Sequence, residues 1–329
     1  MRNNGRFVIS LDFELHWGVR DKVSVLDFRE NLLGARAAIP QMLELFQHYQ
    51  IHATWATVGF LFCKSRSELL ASVPNTLPQY EDKALSPYAH LHEIGIDEED
   101  DPFHFAKSLI DLIANSPGQE IGSHTFSHYY CLEPGQTKLS FRDDLRAAKQ
   151  AAKSQGLPLK SLVFPRNQCN REYLQVCKDE GFISYRGNLS TYCYRAGDGE
   201  ASNSLVKRAL RYLDAYVPIS KTSYNLPLNV GHEPTNIPAS RFLRPYSPKL
   251  KLFERLRLTR IKNEMSSAAT EGAVYHLWWH PHNFGKNTES NLDFLEQVVK
   301  HASVLRDTKG LESLNMSEVS NQLALAAAV

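Results

Sequence analysis

The chain reads as an α/β protein built on a parallel sheet, open or closed into a barrel, and three observations lead there. Short apolar runs of strand length alternate with segments of helical period along the whole of its 329 residues. Gly156 and Gly181 close two of the helical segments, as a left-handed helix terminus favours. Polar residues suited to chemistry fall just past the ends of several apolar runs, where sheets and barrels of this class carry their sites.

Taken in order, residues 7–12 (FVISLD) form a first strand, followed by a long loop over 13–28 that holds His16, Trp17 and Gly18. Residues 30–49 have helical spacing, with Pro40 a point of kinking or breakage. Residues 51–58 give a second strand and 60–73 a helix. Residues 74–103 turn polar and Pro-rich and read as a surface insertion, with the acidic run 97–101 as a solvated face. A helix over 105–114 leads to a third strand at 120–123. Then come a helix over 139–155, a strand at 161–164, a helix over 172–180 and a strand at 182–185. Residues 187–247 have weak periodicity and read as a second insertion, with a helix near 203–213. Helices over 249–270 and 292–305 flank a strand at 273–279, and a short strand at 311–314 precedes a last helix around 317–328. No internal repeat or linker divides the chain, so residues 1–329 are expected to form a single domain.

Composition narrows the function. Hydrophobic residues make up 43% and charged residues 22%, with a formal net charge of +1, so no basic stripe argues for nucleic acid. No apolar stretch approaches the roughly 18–20 residues that span a bilayer. The first ten residues lack the apolar run of a signal peptide. The five Cys (63, 131, 169, 177 and 193) have no CxxC spacing and read as reduced thiols, so a cytoplasmic protein is expected. The sequence leaves the oligomeric state open.

Three clusters carry chemistry. His124 and His128, four residues apart after the third strand, can bind one metal ion together or be ordinary core or surface imidazoles. Asp12 and Glu14 point the same way if the first strand continues that far. Two acids there call for a cation or a structural salt bridge. His276, Trp278 and His280 share one strand face. Pro281 ends the strand and leaves His280 at its tip, where it can exchange protons with a substrate or sit in an aromatic cluster. His276 lies deeper and suits a supporting role. Arg166, just past the strand at 161–164, can hold a carboxylate, bind an anionic ligand or lie on the surface.

Together these segments resemble the polysaccharide deacetylase superfamily (NodB homology, carbohydrate esterase family 4). The matching pieces are Ser10-Leu-Asp12-Phe-Glu14, Ala53-Thr-Trp55-Ala-Thr-Val-Gly59, His124-Thr-Phe-Ser-His128, Phe164-Pro165-Arg166 and His280-Pro-His-Asn-Phe284. The resemblance implies a distorted, incomplete (β/α) barrel of about seven strands. It implies one divalent metal, zinc first, with cobalt, nickel or manganese as alternatives. Glu14, His124 and His128 would be the ligands. Asp12 would be general base toward metal-bound water, His280 general acid for the leaving amine, and Arg166 the group that steadies Asp12. Trp17, Trp279, His282 and Asn283 are expected to line the substrate pocket. Here Glu14 stands where the superfamily usually has Asp, Arg166 follows its proline, and no Asp-x-Trp element is found. The activity implied is removal of acetyl from an N-acetylated sugar or sugar precursor, the partner being that saccharide or small molecule. The alternatives are hydrolysis of a small amide or cyclic ureide, and a metal-free carbohydrate-binding or regulatory module.

Overall fold

A computed structural model describes residues 4–188, 214, 216, 222–226 and 233–327. The sheet is organised around β1 (Arg6–Phe13), in which Phe7 through Phe13 are all buried. Such a run suits a strand covered on both faces, and in a parallel sheet helices supply the cover. The chain continues through α1 (Val25–Tyr49), β2 (Ala53–Thr57), α2 (Arg66–Ala71), α3 (Lys107–Ala114), β3 (Gln119–Ser123), α4 (Lys138–Lys153), β4 (Ser161–Val163), α5 (Leu174–Asp179) and β5 (Ser184–Arg186). After them come β6 (Thr235–Asn236), β7 (Arg241–Phe242), α6 (Glu254–Glu271), β8 (Val274–Trp279), α7 (Thr288–Lys309), β9 (Glu312–Leu314) and α8 (Met316–Ala327). The strand order is β6-β5-β4-β3-β2-β1-β8-β7, with β9 beside the first half of β1, and every pairing is parallel.

The sheet curls because one extended segment serves both of its edges. Thr235 and Asn236 pair with β5, and Ala239 N–H donates to Gly187 O. Ser240 N–H then donates to His276 O, and Arg241 and Phe242 pair with β8. The result is the distorted barrel expected, with two-residue β6 and β7 sharing one position in the ring.

Alternation along the strands sorts the core into an outer and an inner layer. Phe7, Ile9, Leu11 and Phe13 join Tyr275, Leu277 and Trp279 in the large cluster under the helices. Val8, Ala56, Val163, Ile237 and Val274 face inward, and Met316, Val319 and Leu323 of α8 plug the barrel's lower end against them.

Several boundaries move. The long loop expected over 13–28 is a single 3₁₀ turn, Leu15–Gly18, followed by α1, whose cap Ser24 accepts from Asp27 N–H at 3.2 Å. Pro40 sits inside α1 without ending it. An interior proline costs about 3 kcal/mol. Leu32, Ala35, Ala38, Ile39, Met42, Leu43 and Phe46 are buried on the same helix, and the larger ones contribute about 1.5–3 kcal/mol each, so packing outweighs the proline. The helix expected over 60–73 is a 3₁₀ turn, Gly59–Phe62, and then α2. The acidic run is not a solvated face throughout: Asp101 is buried and bonds His104, and Glu98 pairs with Arg36. Cys63, Cys131, Cys169 and Cys177 are unpaired thiols. The helix expected near 203–213 lies outside the described residues. No described helix is long and apolar enough to cross a membrane.

Candidate metal and catalytic site

Residues from the C-terminal ends of β1, β3 and β8 meet above the barrel interior. Glu14 leaves β1 in the turn that leads to the 3₁₀ segment, and its carboxylate stands among four imidazoles. Its Oε2 is 3.3 Å from His124 Nε2 and 3.1 Å from His128 Nε2. Its Oε1 is 3.6 Å from His280 Nε2 and 3.9 Å from His282 Nδ1. Glu14, His124 and His128 are all buried, and each offers one donor atom within 4.8 Å of the other two.

The rings are oriented for that purpose. His124 Nδ1 lies 2.9 Å from the Val163 carbonyl. A carbonyl only accepts, so Nδ1 carries a proton there and Nε2 faces Glu14. His128 Nδ1 meets Tyr130 Oη at 3.1 Å. Burial draws His128 down to about 4, with Glu14 acting against it, so the ring is neutral near pH 7. Burial pushes the Glu14 carboxyl upward, and the neighbouring His280, His124 and His128 more than offset this, holding it well below the usual carboxylate range. Two imidazoles and one ionised carboxylate, buried together, form a donor set suited to a divalent ion of the zinc type.

Two glycines make room for this arrangement. A Cβ on Gly18 would lie 1.9–2.4 Å from the carboxylate atoms of Glu14. A Cβ on Gly59 would lie 2.6 Å from Phe126 Cα, inside the loop between the two imidazoles.

Asp12 is steadied by Arg186, not by Arg166. Arg186 Nη1 and Nη2 donate to the two Asp12 oxygens at 2.6 and 2.8 Å. The same guanidinium reaches Ser10 Oγ at 3.0 Å and Asn167 Oδ1 at 2.9 Å, and lies 4.2 Å from the centre of the Trp278 ring. Burial raises the Asp12 carboxyl, but Arg186 and the nearby imidazoles outweigh it and hold it below its ordinary value. Arg166 fails to reach because it and Asn167 take left-handed backbone (φ 54 for both), which turns its side chain outward to pair with Asp21 and cover the Tyr130 ring at 4.1 Å. The expected strand at 182–185 stops one residue short of Arg186. Extending it would have put that charge on the inward face with Ser184.

His280 keeps 24% of its side chain exposed, with Nε2 3.6 Å from Asp12 Oδ2 as well as from Glu14. Asn283 Nδ2 lies 3.4 Å from its Nδ1, and Phe242 and Trp278 flank the ring. His282 stacks on His280 at 5.0 Å; it is buried, its Nδ1 has no hydrogen-bond partner among the described residues, and burial draws it down to about 3. His276 sits one layer down, with Nδ1 3.1 Å from Ile237 O and Nε2 2.8 Å from Ser10 Oγ.

Two residues expected in the pocket are elsewhere. Trp279 points out of the barrel, fully buried against Phe46 and Phe284. Alternation puts Trp278, half-buried beside Arg186 and His280, in its place. Trp17 is buried against Phe60 and His104, and its Nε1–H donates to His104 O at 2.9 Å. It packs the insertion onto the β1 turn.

The chain is thus a parallel α/β barrel that gathers two carboxylates, a His-x-x-x-His pair and a strand-end His at its C-terminal rim. The family model for polysaccharide deacetylase matches residues 19–184, about half of the chain. The chain belongs to the polysaccharide deacetylase family. Crystal structures with the same fold include a protein of Mycobacterium smegmatis assigned to the polysaccharide deacetylases. It is 13% identical, with a TM-score of 0.62 over 99% of this chain and 92% of that one. A protein of Pseudomonas aeruginosa PAO1 with the same assignment is 11% identical, with a TM-score of 0.53 over 97% of this chain and 89% of that one. The 4-alpha-glucanotransferase of Thermococcus litoralis is 12% identical, with a TM-score of 0.52 over 95% of this chain and 39% of that one. No curated protein sequence matches the chain.

Proposed function

We propose that the chain is a metal-dependent hydrolase that removes acetyl from an N-acetylated sugar or sugar precursor. The observation that carries this reading is the gathering of Glu14, His124 and His128 within 4.8 Å of one another, with Asp12 and His280 beside them. Glu14 Oε2, His124 Nε2 and His128 Nε2 would hold the ion, zinc by preference. When bound, such an ion polarises an acyl oxygen and brings the pKa of water toward neutrality. Asp12, kept ionised and fixed in orientation by Arg186, takes the proton of the attacking water. His280, partly exposed beside both carboxylates, gives a proton to the departing nitrogen, since an amine does not leave as its anion. Trp278 and Phe242 supply an aromatic wall beside His280, the kind of surface a sugar ring packs against.

The test is acetate release from a panel of N-acetylated monosaccharides, glycosides and sugar nucleotides, run with chelator and after zinc is restored. Release from at least one substrate, lost with chelator and recovered with zinc, is expected. Metal-loaded protein inert on the panel but active on cyclic ureides would replace the substrate class. Full turnover after complete metal removal would overturn the metal reading.

A further inference from the structure

The loop between the two imidazoles does not hold itself. Thr125 (φ 62) and His128 (φ 58) take left-handed backbone, which residues with a Cβ adopt only when their surroundings enforce it. Between them the amides of Phe126 and Ser127 point into the core, where unmet donors are unfavourable. Both end on one side chain from α4. Asp144 Oδ1 accepts from Phe126 N–H at 2.6 Å, and Oδ2 accepts from Ser127 N–H at 3.2 Å and from the Ser127 hydroxyl. Tyr88 O–H reaches Oδ2 at 3.5 Å. The loop's carbonyls are held from the other side, Thr125 O by Gly59 N–H at 2.8 Å and Phe126 O by Phe60 N–H at 3.0 Å.

We propose that Asp144 is a positioning residue for the metal site, fixing the spacing of His124 and His128 by gripping the backbone between them. The inference rests on the reading of those imidazoles as ligands. Asp144 is fully buried, and among the described residues no cation pairs with it. A buried carboxylate without a counter-ion is a poor choice for stability alone, and burial pushes this one up to about 6. Its two oxygens accept from both amides at once, whereas Asn would turn an N–H₂ toward one of them. Thr125 Oγ1 completes the hold by accepting from Tyr129 N–H at 2.7 Å.

The experiment compares wild type, Asp144→Asn and Ser127→Ala, all full-length and stripped of metal, by chelator competition for Zn²⁺ and by the visible spectrum of added Co²⁺. Wild type that binds no metal refutes the metal reading itself. If wild type binds, folded Asp144→Asn should bind about 10–100-fold more weakly with an altered Co²⁺ spectrum, while Ser127→Ala, which keeps both backbone bonds, should stay within about threefold. Equal affinity and an unchanged spectrum in folded Asp144→Asn, even with a lower melting temperature, would overturn the proposal. Hydrogen exchange on metal-free wild type decides independently of how the variants fold. Protected Phe126 and Ser127 amides support the grip, and amides exchanging freely there refute it.

Discussion

Gly18 shapes the candidate site as much as any ligand in it. With no side chain it lets the chain fold back over Glu14, and the smallest Cβ would overlap that carboxylate. Gly18→Ala is expected to weaken metal binding more than tenfold, in the range seen when a ligand's support is lost, with the far-UV spectrum kept. Titration of the variant with Zn²⁺ checks it, and wild-type affinity would show that Glu14 is placed by other means. Arg186 is the second residue of this kind. Replacing it with Met leaves Asp12 buried without its partner, a change worth about 3–5 kcal/mol. The sign of the pH effect follows. Asp12 is held low in the fold, so its contribution is present above the unfolded carboxylate value and lost as pH falls through the folded one. Without Arg186, burial dominates and the carboxyl moves up. The acid limb of any pH–rate profile should therefore move to higher pH in Arg186→Met, and an unmoved limb would separate Arg186 from Asp12. Asp12, Glu14, His124, His128 and His280 were legible as strand-end residues of types that ligate metal or move protons. Arg186 was not, because one residue of strand length decides which face it takes. Gly18 was not, because its role depends on what folds back over it. His280 and His282 remain to be told apart by amide and matched ester substrates. Loss of the acid should slow the amide by about 10²–10⁴-fold and the ester less, so an equal loss on both in His280→Ala, or a larger loss in His282→Ala, would assign the acid to the wrong imidazole.

At the scale of elements, helix ends were read well where glycine marks them: Gly156 (φ 74) and Gly181 (φ 84) follow α4 and α5 in the left-handed region. Periodicity failed where tertiary packing decides. Pro40 does not end α1, because the buried face on both sides of it is already committed to the core. The segment 235–243 showed no pattern because it forms two two-residue strands with different neighbours. The closing helix, α8, makes a testable electrostatic contact below the barrel. Glu318 bonds His52 Nδ1 at 2.8 Å, and this bond raises His52 above its ordinary value despite burial. A raised histidine adds stability that is full below the unfolded value of about 6.5 and fades as pH rises through the folded value. Both groups are about one-third exposed, so the contribution stays below about 1 kcal/mol. The melting temperature of His52→Gln should fall below wild type at pH 5.5 and match it at pH 8.5. A gap that persists unchanged at pH 8.5 would mean the contact is not electrostatic.

Across the whole molecule, the barrel interior changes character from bottom to top. Val8 meets the apolar plug of α8, Ser10 meets His276 and Arg186, Asp12 meets Arg186 and His280, and Glu14 meets the imidazoles. That gradient is written in every second residue of Val8-Ile-Ser-Leu-Asp-Phe-Glu14. What each meets depends on register across strands, such as Ser10 opposite Thr54 and Trp278, which a single sequence does not encode locally. Such a site should also stabilise the fold on loading. An ion at about 100 times its dissociation constant adds about 2.7 kcal/mol, so stripping with chelator should lower the melting temperature and restoring zinc should recover it. The most direct measurement is the metal content of the purified chain by elemental analysis, set beside that of His124→Ala with its fold checked by circular dichroism. The account predicts about one divalent ion per wild-type chain and almost none in folded His124→Ala. A folded His124→Ala that retains its full complement of metal would contradict it.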